Sequence, residues 1–194
     1  MENVIMHMST HPRLLKDVLT QYKSTFAALK ELINNSIQAN AKRIEINLVP
    51  TECDEDSINY HLIDSIQVID DGDGIPFSQF HEKIMKVATD NKVGGLGIGR
   101  FGALQIGRTM SINTIGYESE AKKYTTTSIV LETSLFQNGE LQELEIPCKI
   151  SESIEHIKTC YKVTISNLYQ YEQTTKKKNK LSTEFNSIFN FKHI

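Results

Sequence analysis

The spacing of apolar residues predicts that this chain begins with helix and ends with strands. Across residues 24–39 the apolar side chains recur at the three- and four-residue intervals of one helix face. The members of this stripe are Phe26, Leu29, Ile33 and Ile37. Ser24 stands just before the stripe, and its short hydroxyl side chain is of the kind that caps a helix N-terminus. The pattern therefore predicts an amphipathic helix over 24–39, preceded by a shorter helix over 13–20.

Alternation of apolar and polar residues predicts the strands. Residues 43–49 alternate strictly, with Ile44, Ile46 and Leu48 on one face, as in a half-buried strand. Further strands are predicted over 65–69, 110–115, 125–131, 141–146 and 161–165, and further helices from residue 76 to 86 and over 100–106. Early helices and late strands predict an α+β fold, a two-layer α/β sandwich. Its sheet is expected to be mixed, mostly antiparallel, with the helices on one face.

Length and a change in composition predict the domain boundary. A chain of 194 residues is of the size of one domain. The segment 173–180 (QTTKKKNK) carries four lysines and reads as a linker, and apolar residues recur at helical spacing after it. We therefore expect one domain over residues 1–172, followed by a lysine-rich linker and a C-terminal helix over 173–194.

Charge, hydrophobicity and cysteine content restrict the binding partners and the cellular compartment that we expect for this protein. With 21 Lys+Arg against 24 Asp+Glu, the net charge of −3 disfavours a basic domain that coats nucleic acid, and only the local lysine run leaves such a contact open. No apolar run approaches the ~20 residues that span a bilayer, so no membrane partner is expected. Cys53, Cys148 and Cys160 are far apart and form no C-x-x-C pair, which is typical of reduced thiols in a cytoplasmic protein.

Two polar residues on the long predicted helix are the first candidate site. Glu31 and Asn35 are four positions apart, so both side chains project from one helix face. A carboxylate and a carboxamide placed in this way can hold a water molecule and a divalent cation, and Mg²⁺ prefers such oxygen ligands. The alternative interpretation is a solvated helix face.

An aspartate- and glycine-rich turn, residues 69–75 (IDDGDGI), is the second candidate. Gly72 and Gly74 permit a tight turn and close approach of the backbone to a ligand. Asp70, at the end of a strand, can accept a hydrogen bond from an amine such as that of adenine. The alternatives are an ordinary Asp-Gly turn and a calcium loop. The calcium loop is disfavoured because the sixth position is Ile75 or Pro76 instead of the required glycine, and the twelfth is acidic only when counted from Asp71, at Glu82.

A glycine-rich segment at residues 94–102 (GGLGIGRFG) is the third candidate. It precedes a predicted helix, where unpaired backbone N–H groups can bind phosphate. It is not a Walker A loop, because no Gly-Lys-Ser/Thr follows. Gly97, Gly99 and Gly102 fit the spacing of a Rossmann fingerprint, but no strand precedes them.

The order and spacing of the three segments resemble the GHKL, or Bergerat-fold, ATPases. This family includes the DNA gyrase B subunit, the ninety-kilodalton heat-shock chaperones, sensor histidine kinases, and MutL- and MORC-type proteins. ELINNSIQANAKRIEINL resembles the first family motif and its following strand, and VIDDGDGI the second. ATDNK and GRFG resemble the lid and the third motif, so the resemblance covers about residues 24–116. KTCYKVTISNL has the character of the fourth motif, in which Thr164 or Thr159 is the candidate threonine.

The resemblance implies a role for each matched residue. Glu31 is implied as the general base, Asn35 as the Mg²⁺ ligand, and Asp70 as the acceptor for the adenine amino group. The other implied ATP-binding residues are Gly72, Gly74 and Ile75 near the base, with Ile33 as a further wall, Lys92, Gly97, Gly99, Phe101 and Gly102 near the phosphates, and Thr164.

The resemblance also implies an activity with ATP and Mg²⁺ as cofactors. We expect slow ATP hydrolysis, with closure of the lid and ATP-dependent formation of a homodimer as a conformational switch, completed by a further domain or a partner protein. Residues 1–12 are expected to be an arm of the kind that dimeric members exchange. Three residues depart from the family pattern: Gln38 replaces a common Asp, Leu104 a common Gly, and Ile106 a common Lys. They leave open a pseudo-ATPase that binds without turnover, and a phosphotransferase of the histidine-kinase type is the second alternative.

Overall fold

A computed structural model describes residues 2–10, 24–50, 63–86, 99–136 and 142–169. Seven strands in this part of the chain form one sheet, in the order β1-β6-β5-β4-β7-β3-β2. Their bounds are β1 Glu2–Thr10, β2 Ile44–Pro50, β3 Ile63–Asp70, β4 Gly107–Glu118, β5 Lys123–Glu132, β6 Gln142–Ser153 and β7 Cys160–Leu168. Each of the six pairings between these strands is antiparallel, which corrects the expectation of a mixed sheet.

The long helix, α1, spans Thr25–Gln38 and confirms the predicted amphipathic helix. Ser24 is its N-cap, since its side-chain oxygen accepts a hydrogen bond from the Ala27 N–H at 3.2 Å. The buried side of α1 is formed by Ala28, Leu29, Leu32 and Ser36. Phe26 and Ile37 belonged to the predicted stripe, but they are 38% and 60% exposed, so the buried side is narrower than the apolar pattern.

The remaining helical elements are short. A single α-helical turn, α2, spans Phe77–Phe80 and continues as a π-helical turn over His81–Met85, where one continuous helix was predicted. The glycine-rich segment enters a 3-10 helix at Gly99–Gln105, and a second 3-10 helix spans Thr133–Phe136. The first of these 3-10 helices packs mainly against α1.

The core lies between the helices and one face of the sheet. Alternate side chains of the central strands are buried on that face, for example Met110 and Ile112 of β4 and Val163 and Ile165 of β7. The residues between them, such as Ser111 and Asn113 of β4, lie on the other face and are only partly buried. The predicted two-layer α+β sandwich with helices on one face is thereby confirmed.

Residues 2–10 of the predicted N-terminal arm form a strand of this sheet, and exchange of this segment between protomers stays a prediction. β1 forms one edge of the sheet and pairs with β6 from Glu2 to Thr10. Met6 and Met8 belong to the buried core, and this burial holds the strand in place. The ring atom Nε2 of His81 lies 3.1 Å from the backbone oxygen of His7 and links β1 to the π-helical turn.

Several predicted segments lie outside the described residues. They are the helix over 13–20, the acidic segment 51–57, most of the glycine-rich segment, and the linker and helix over 173–194. Within the described parts of the chain, no helix combines the length and apolar character needed to cross a membrane.

Candidate functional site

A buried carboxylate at the end of β3 joins the sheet to α1. Asp70 is only 3% exposed. Its Oδ2 accepts a hydrogen bond from the Ser36 hydroxyl at 2.6 Å, and its Oδ1 accepts one from the Gly72 N–H at 3.0 Å. Ser36 is itself 2% exposed, so this contact is shielded from water. Each carboxylate oxygen has two acceptor positions, so these two bonds leave capacity for a further donor.

Asp71 and Asp73 bind the turn to the segment that follows α1. Asp71 Oδ1 accepts hydrogen bonds from the backbone N–H groups of Lys42 and Arg43, at 2.8 and 2.7 Å. Its Oδ2 lies 3.4 Å from Lys158 Nζ. The Arg43 N–H is the main cause that lowers the pKa of Asp71, and Lys42 and Lys158 act in the same direction. Asp73 Oδ2 accepts a hydrogen bond from Asn40 Nδ2 at 2.7 Å.

This use of the three aspartates argues against a calcium loop. Each carboxylate has its own partner on α1 or on the segment that follows it. Among the residues that the structure describes, no group of three or more His, Cys, Asp or Glu side chains is arranged to hold a metal ion. The alternative of a calcium site is therefore not supported.

Glycines let the turn pack against the rest of the protein. Gly74 has φ +64°, and a Cβ at this position would lie 1.9 Å from the backbone oxygen of Ile115 in β4. A Cβ on Gly116 would lie 2.1 Å from the backbone nitrogen of Pro76. At Gly72 a Cβ would lie 2.5 Å from the Ala39 backbone oxygen. Contacts within the protein thus account for the glycines of the turn, and their predicted contact with a base stays a prediction.

Two buried threonines, which sequence reasoning missed, hold the chain just after the turn. Thr114 Oγ1 accepts a hydrogen bond from the Ile75 N–H at 2.8 Å and donates one to the Cys160 backbone oxygen at 3.0 Å. Thr125 Oγ1 accepts from the Phe77 N–H at 2.9 Å. The sequence contained one signal that could have revealed them. The alternation along β4 and β5 places both threonines on the same face as the buried apolar residues.

Glu31 and Asn35 lie together on one flank of α1, as their spacing predicted. Both are partly buried, and neither side chain forms a hydrogen bond or an ion pair with a residue of the described segments. Asn35 is the neighbour of Ser36, so this flank borders the helix side that contacts Asp70. Ile33 is two positions from each of them and therefore faces the other flank.

The oxygen atoms of Glu31 and Asn35 fit Mg²⁺. They are hard ligands and they are not engaged by neighbouring side chains within the described segments. Mg²⁺ keeps several water molecules and takes phosphate oxygens, so it needs only one or two protein ligands. Asn35 would hold the ion only together with the phosphates of a bound nucleotide, and the adjacent Glu31 carboxylate would face the water molecules around it.

The 3-10 helix over Gly99–Gln105 carries two glycines of the glycine-rich segment and several side chains of the core. Phe101 is 2% exposed, and its side chain belongs to the core cluster. Leu104 is fully buried, and it is not among the described residues with positive φ, so a glycine is not required there. Ile106 is 1% exposed and also belongs to the core. Gly99 is partly buried and Gly102 buried in the same helix. Lys92 and Gly97 lie outside the described residues.

The register of β7 separates Thr164 from Asp70. Directly paired residues of antiparallel strands project from the same face of a sheet. Asp70 pairs with Tyr161, whereas Thr164 pairs with Gln67, a residue of the opposite face. Thr164 therefore does not share the site with Asp70, which corrects its placement there. The β7 residue beside Asp70 is Tyr161, and Thr159 precedes the strand.

Comparison with known families identifies the family of the chain. A family model described as histidine kinase-, DNA gyrase B- and HSP90-like ATPase matches residues 22–164. This match covers most of the chain, and the chain belongs to that ATPase family. The matched range contains α1, the turn after β3, the glycine-rich segment and most of β7. A search of curated proteins found no match.

Proposed function

We propose that this domain binds ATP with Mg²⁺ and hydrolyses it slowly. The observation that carries the proposal is the buried Asp70 carboxylate, held by Ser36 and Gly72 beside the helix flank that bears Glu31 and Asn35. Membership of the ATPase family supports the same ligand.

Asp70 is the proposed acceptor for the adenine amino group. Two of its acceptor positions are occupied by hydrogen bonds from the protein, and these bonds fix the direction of the remaining ones. Ile75 is partly buried against the core, and it is the proposed apolar wall for the base. Gly72 and Gly74 complete the turn below it.

Glu31 is the proposed general base, and Asn35 the proposed Mg²⁺ ligand. Bound Mg²⁺ would offset the negative charge of the phosphates. Glu31 would accept a proton from the water that attacks the terminal phosphate, a role that requires a carboxylate within hydrogen-bonding reach of that water. The lack of a competing partner for Glu31 within the described segments supports this role.

The glycine-rich segment is proposed to contact the phosphates. Residues without a side chain let backbone N–H groups approach an anion closely. Gly99 and Gly102 belong to the described part of this segment, and Gly97 and Lys92 complete the proposed set.

Nucleotide-dependent lid closure and homodimerisation form the next part of the proposal. β1 is an edge strand, and such a strand can pair with a second chain. ATP would favour the closed state only through contacts that the open state lacks. The expected result is a shift from monomer to dimer when a non-hydrolysable ATP analogue is added, measured by light scattering after size-exclusion chromatography. A further domain or partner protein is proposed to complete the assembly.

We also propose a cytoplasmic location. Cys148 and Cys160 are free thiols, and burial raises the pKa of both. Free cysteines are typical of proteins in a reducing compartment, and this supports the proposal.

Thermal unfolding with and without ATP–Mg²⁺ tests nucleotide binding. A ligand that binds only the folded protein raises the melting temperature. We expect ATP to stabilise the parent protein and the Asp73→Asn variant, and to have no effect on Asp70→Asn. Asp73 is the matched control because it belongs to the same turn but bonds to Asn40 instead of Ser36. An equal response of all three proteins to ATP would refute the proposed base site.

The fate of γ-labelled ATP separates hydrolysis from the alternatives. Release of labelled phosphate, lost in Glu31→Gln, supports an ATPase. Label retained on protein indicates a phosphotransferase of the histidine-kinase type. Binding without either product indicates a pseudo-ATPase. Three residues depart from the family pattern. Leu104 and Ile106 are buried in the core, which accounts for their apolar side chains. Gln38 is exposed, and it is the remaining departure that favours a pseudo-ATPase.

A further inference from the structure

We propose that Tyr161 determines which bases the site accepts, an inference that rests on the proposed ATP site. The evidence is the register of the sheet. Tyr161 on β7 pairs with Asp70 on β3 on one side and with Thr114 on β4 on the other. Paired residues share a face, so the three side chains form one row across the covered face of the sheet.

Tyr161 is the accessible member of this row. Asp70 is 3% exposed and Thr114 is fully buried, and Val163, the next β7 residue on this face, is 1% exposed. Tyr161 alone among these four is partly exposed. Tyr161 is therefore the member of this row that solvent reaches, and it stands next to Asp70.

The neighbours of Tyr161 are fixed by their own hydrogen bonds. Asp70 is held by Ser36 and Gly72. Thr114 is held by the Ile75 N–H and the Cys160 backbone oxygen. The side chains of Asp70 and Thr114, on either side of Tyr161, are thus fixed in position. The size of the side chain at position 161 then determines how much space remains for a base between them.

Strand spacing and the position of Ile75 bring the proposed base next to Tyr161. Adjacent strands lie about 4.8 Å apart. A purine is wider than this distance, so a base whose amino group reaches Asp70 extends over a neighbouring strand. Ile75, the proposed wall of the base site, is hydrogen-bonded to Thr114 of β4, which lies beyond β7. A base between Asp70 and Ile75 therefore lies over β7, where Tyr161 stands. A tyrosine ring at that point limits substituents on the exocyclic amine, whereas a small side chain would leave room for them.

The test compares ATP with N6-benzyl-ATP, in which the exocyclic amine carries an added ring. Dissociation constants for both are measured with the parent protein, Tyr161→Thr, Tyr161→Phe and the control Lys162→Thr. Lys162 pairs with Ile69 on the opposite face, so its change should leave the ratio of the two constants unaltered. Tyr161→Thr should reduce the preference for ATP by about tenfold or more, the scale set by filling or emptying a pocket. Tyr161→Phe, which keeps the ring, should retain the preference.

The outcomes separate this inference from the proposed function. If the parent binds ATP and Tyr161→Thr keeps the parental ratio, the inference is wrong and the ATP site stands. If the parent binds no ATP, both fail. Should Tyr161→Thr not fold, photolabelling of the parent with 2-azido-ATP decides, because trypsin releases residues 159–162 as one peptide between Lys158 and Lys162. Label in that peptide supports the inference, and label confined to other peptides overturns it.

Discussion

The hydroxyl oxygen of Ser36 lies 2.6 Å from Oδ2 of Asp70, across 34 positions of the chain. Both residues are nearly inaccessible to solvent, at 2% and 3% exposure. A buried bond to a charged acceptor is costly to break, because the carboxylate that remains has lost a donor. This contact therefore fixes both the packing of α1 on β3 and the orientation of the proposed base-binding carboxylate.

Replacement of Ser36 by alanine should weaken folding and ATP binding together. Loss of the donor is expected to lower the free energy of unfolding by about 1–3 kcal/mol. Ser24→Ala is the matched control on the same helix. Loss of this N-cap also costs about 1 kcal/mol of stability, but Ser24 lies at the other end of α1, away from Asp70. Urea unfolding and ATP titration measure the two effects. Equal ATP affinity in the two variants would show that Ser36 acts on stability alone.

Replacement of Glu31 by glutamine should abolish turnover and preserve binding. Glutamine keeps the size of the side chain but cannot accept the proton of the attacking water. The rate of phosphate release should fall by about 100-fold or more, the usual contribution of a general base. The dissociation constant for ATP should stay close to that of the parent. Unchanged phosphate release would remove Glu31 from the proposed reaction.

Replacement of Gly74 by alanine should destabilise the fold by more than about 1 kcal/mol, since it combines a positive φ with a backbone clash. The added Cβ would lie 1.9 Å from the Ile115 oxygen at φ +64°. Lys122→Gly is the opposite control, because Lys122 already has φ 49° and glycine adopts that conformation without strain. Thermal unfolding should show a clear loss for the first variant and little change for the second. A stable Gly74→Ala protein would argue against the described turn.

Replacement of Thr114 by valine should loosen the turn. Valine keeps the shape but removes the acceptor of the Ile75 N–H, which then lacks that partner. The expected cost is about 1–3 kcal/mol. Thr114→Ser retains the hydroxyl and should behave much more like the parent. Hydrogen exchange at the Ile75 amide gives the direct measurement, with faster exchange expected in the valine variant only.

Asp71 should contribute stability that disappears in acid. Its pKa lies below the ordinary value of 3.8, chiefly because the Arg43 N–H stabilises the charged form. A lowered pKa in the folded state means that the contribution is complete above the unfolded pKa and is lost as the pH falls through the folded one. The difference in melting temperature between the parent and Asp71→Asn should therefore be largest at neutral pH and shrink as the pH falls below the ordinary pKa of 3.8. A difference that persists in acid would exclude ionisation as its cause.

The apolar pattern predicted the type and place of most described elements. The long helix, its cap at Ser24 and the strands around β2, β3 and β5 were all read from spacing within a few residues. The pattern failed for one strand and for the second half of one helix. It did not predict β1, whose Met6 and Met8 belong to the buried core of a sheet in which β1 pairs with β6. It also treated residues 76–86 as one helix, although its second half is a π-helical turn.

The sequence by itself determined the family of this protein and the order of its candidate segments. Helical and strand periodicity are local, and the motifs that carry Glu31, Asn35 and Asp70 are short and contiguous. Only the tertiary structure decided which residues meet. Ser36, Thr114 and Tyr161 reach the Asp70 turn through contacts between elements far apart in the chain. Register likewise decided against Thr164, because a shift of one residue along a strand moves a side chain to the other face of the sheet.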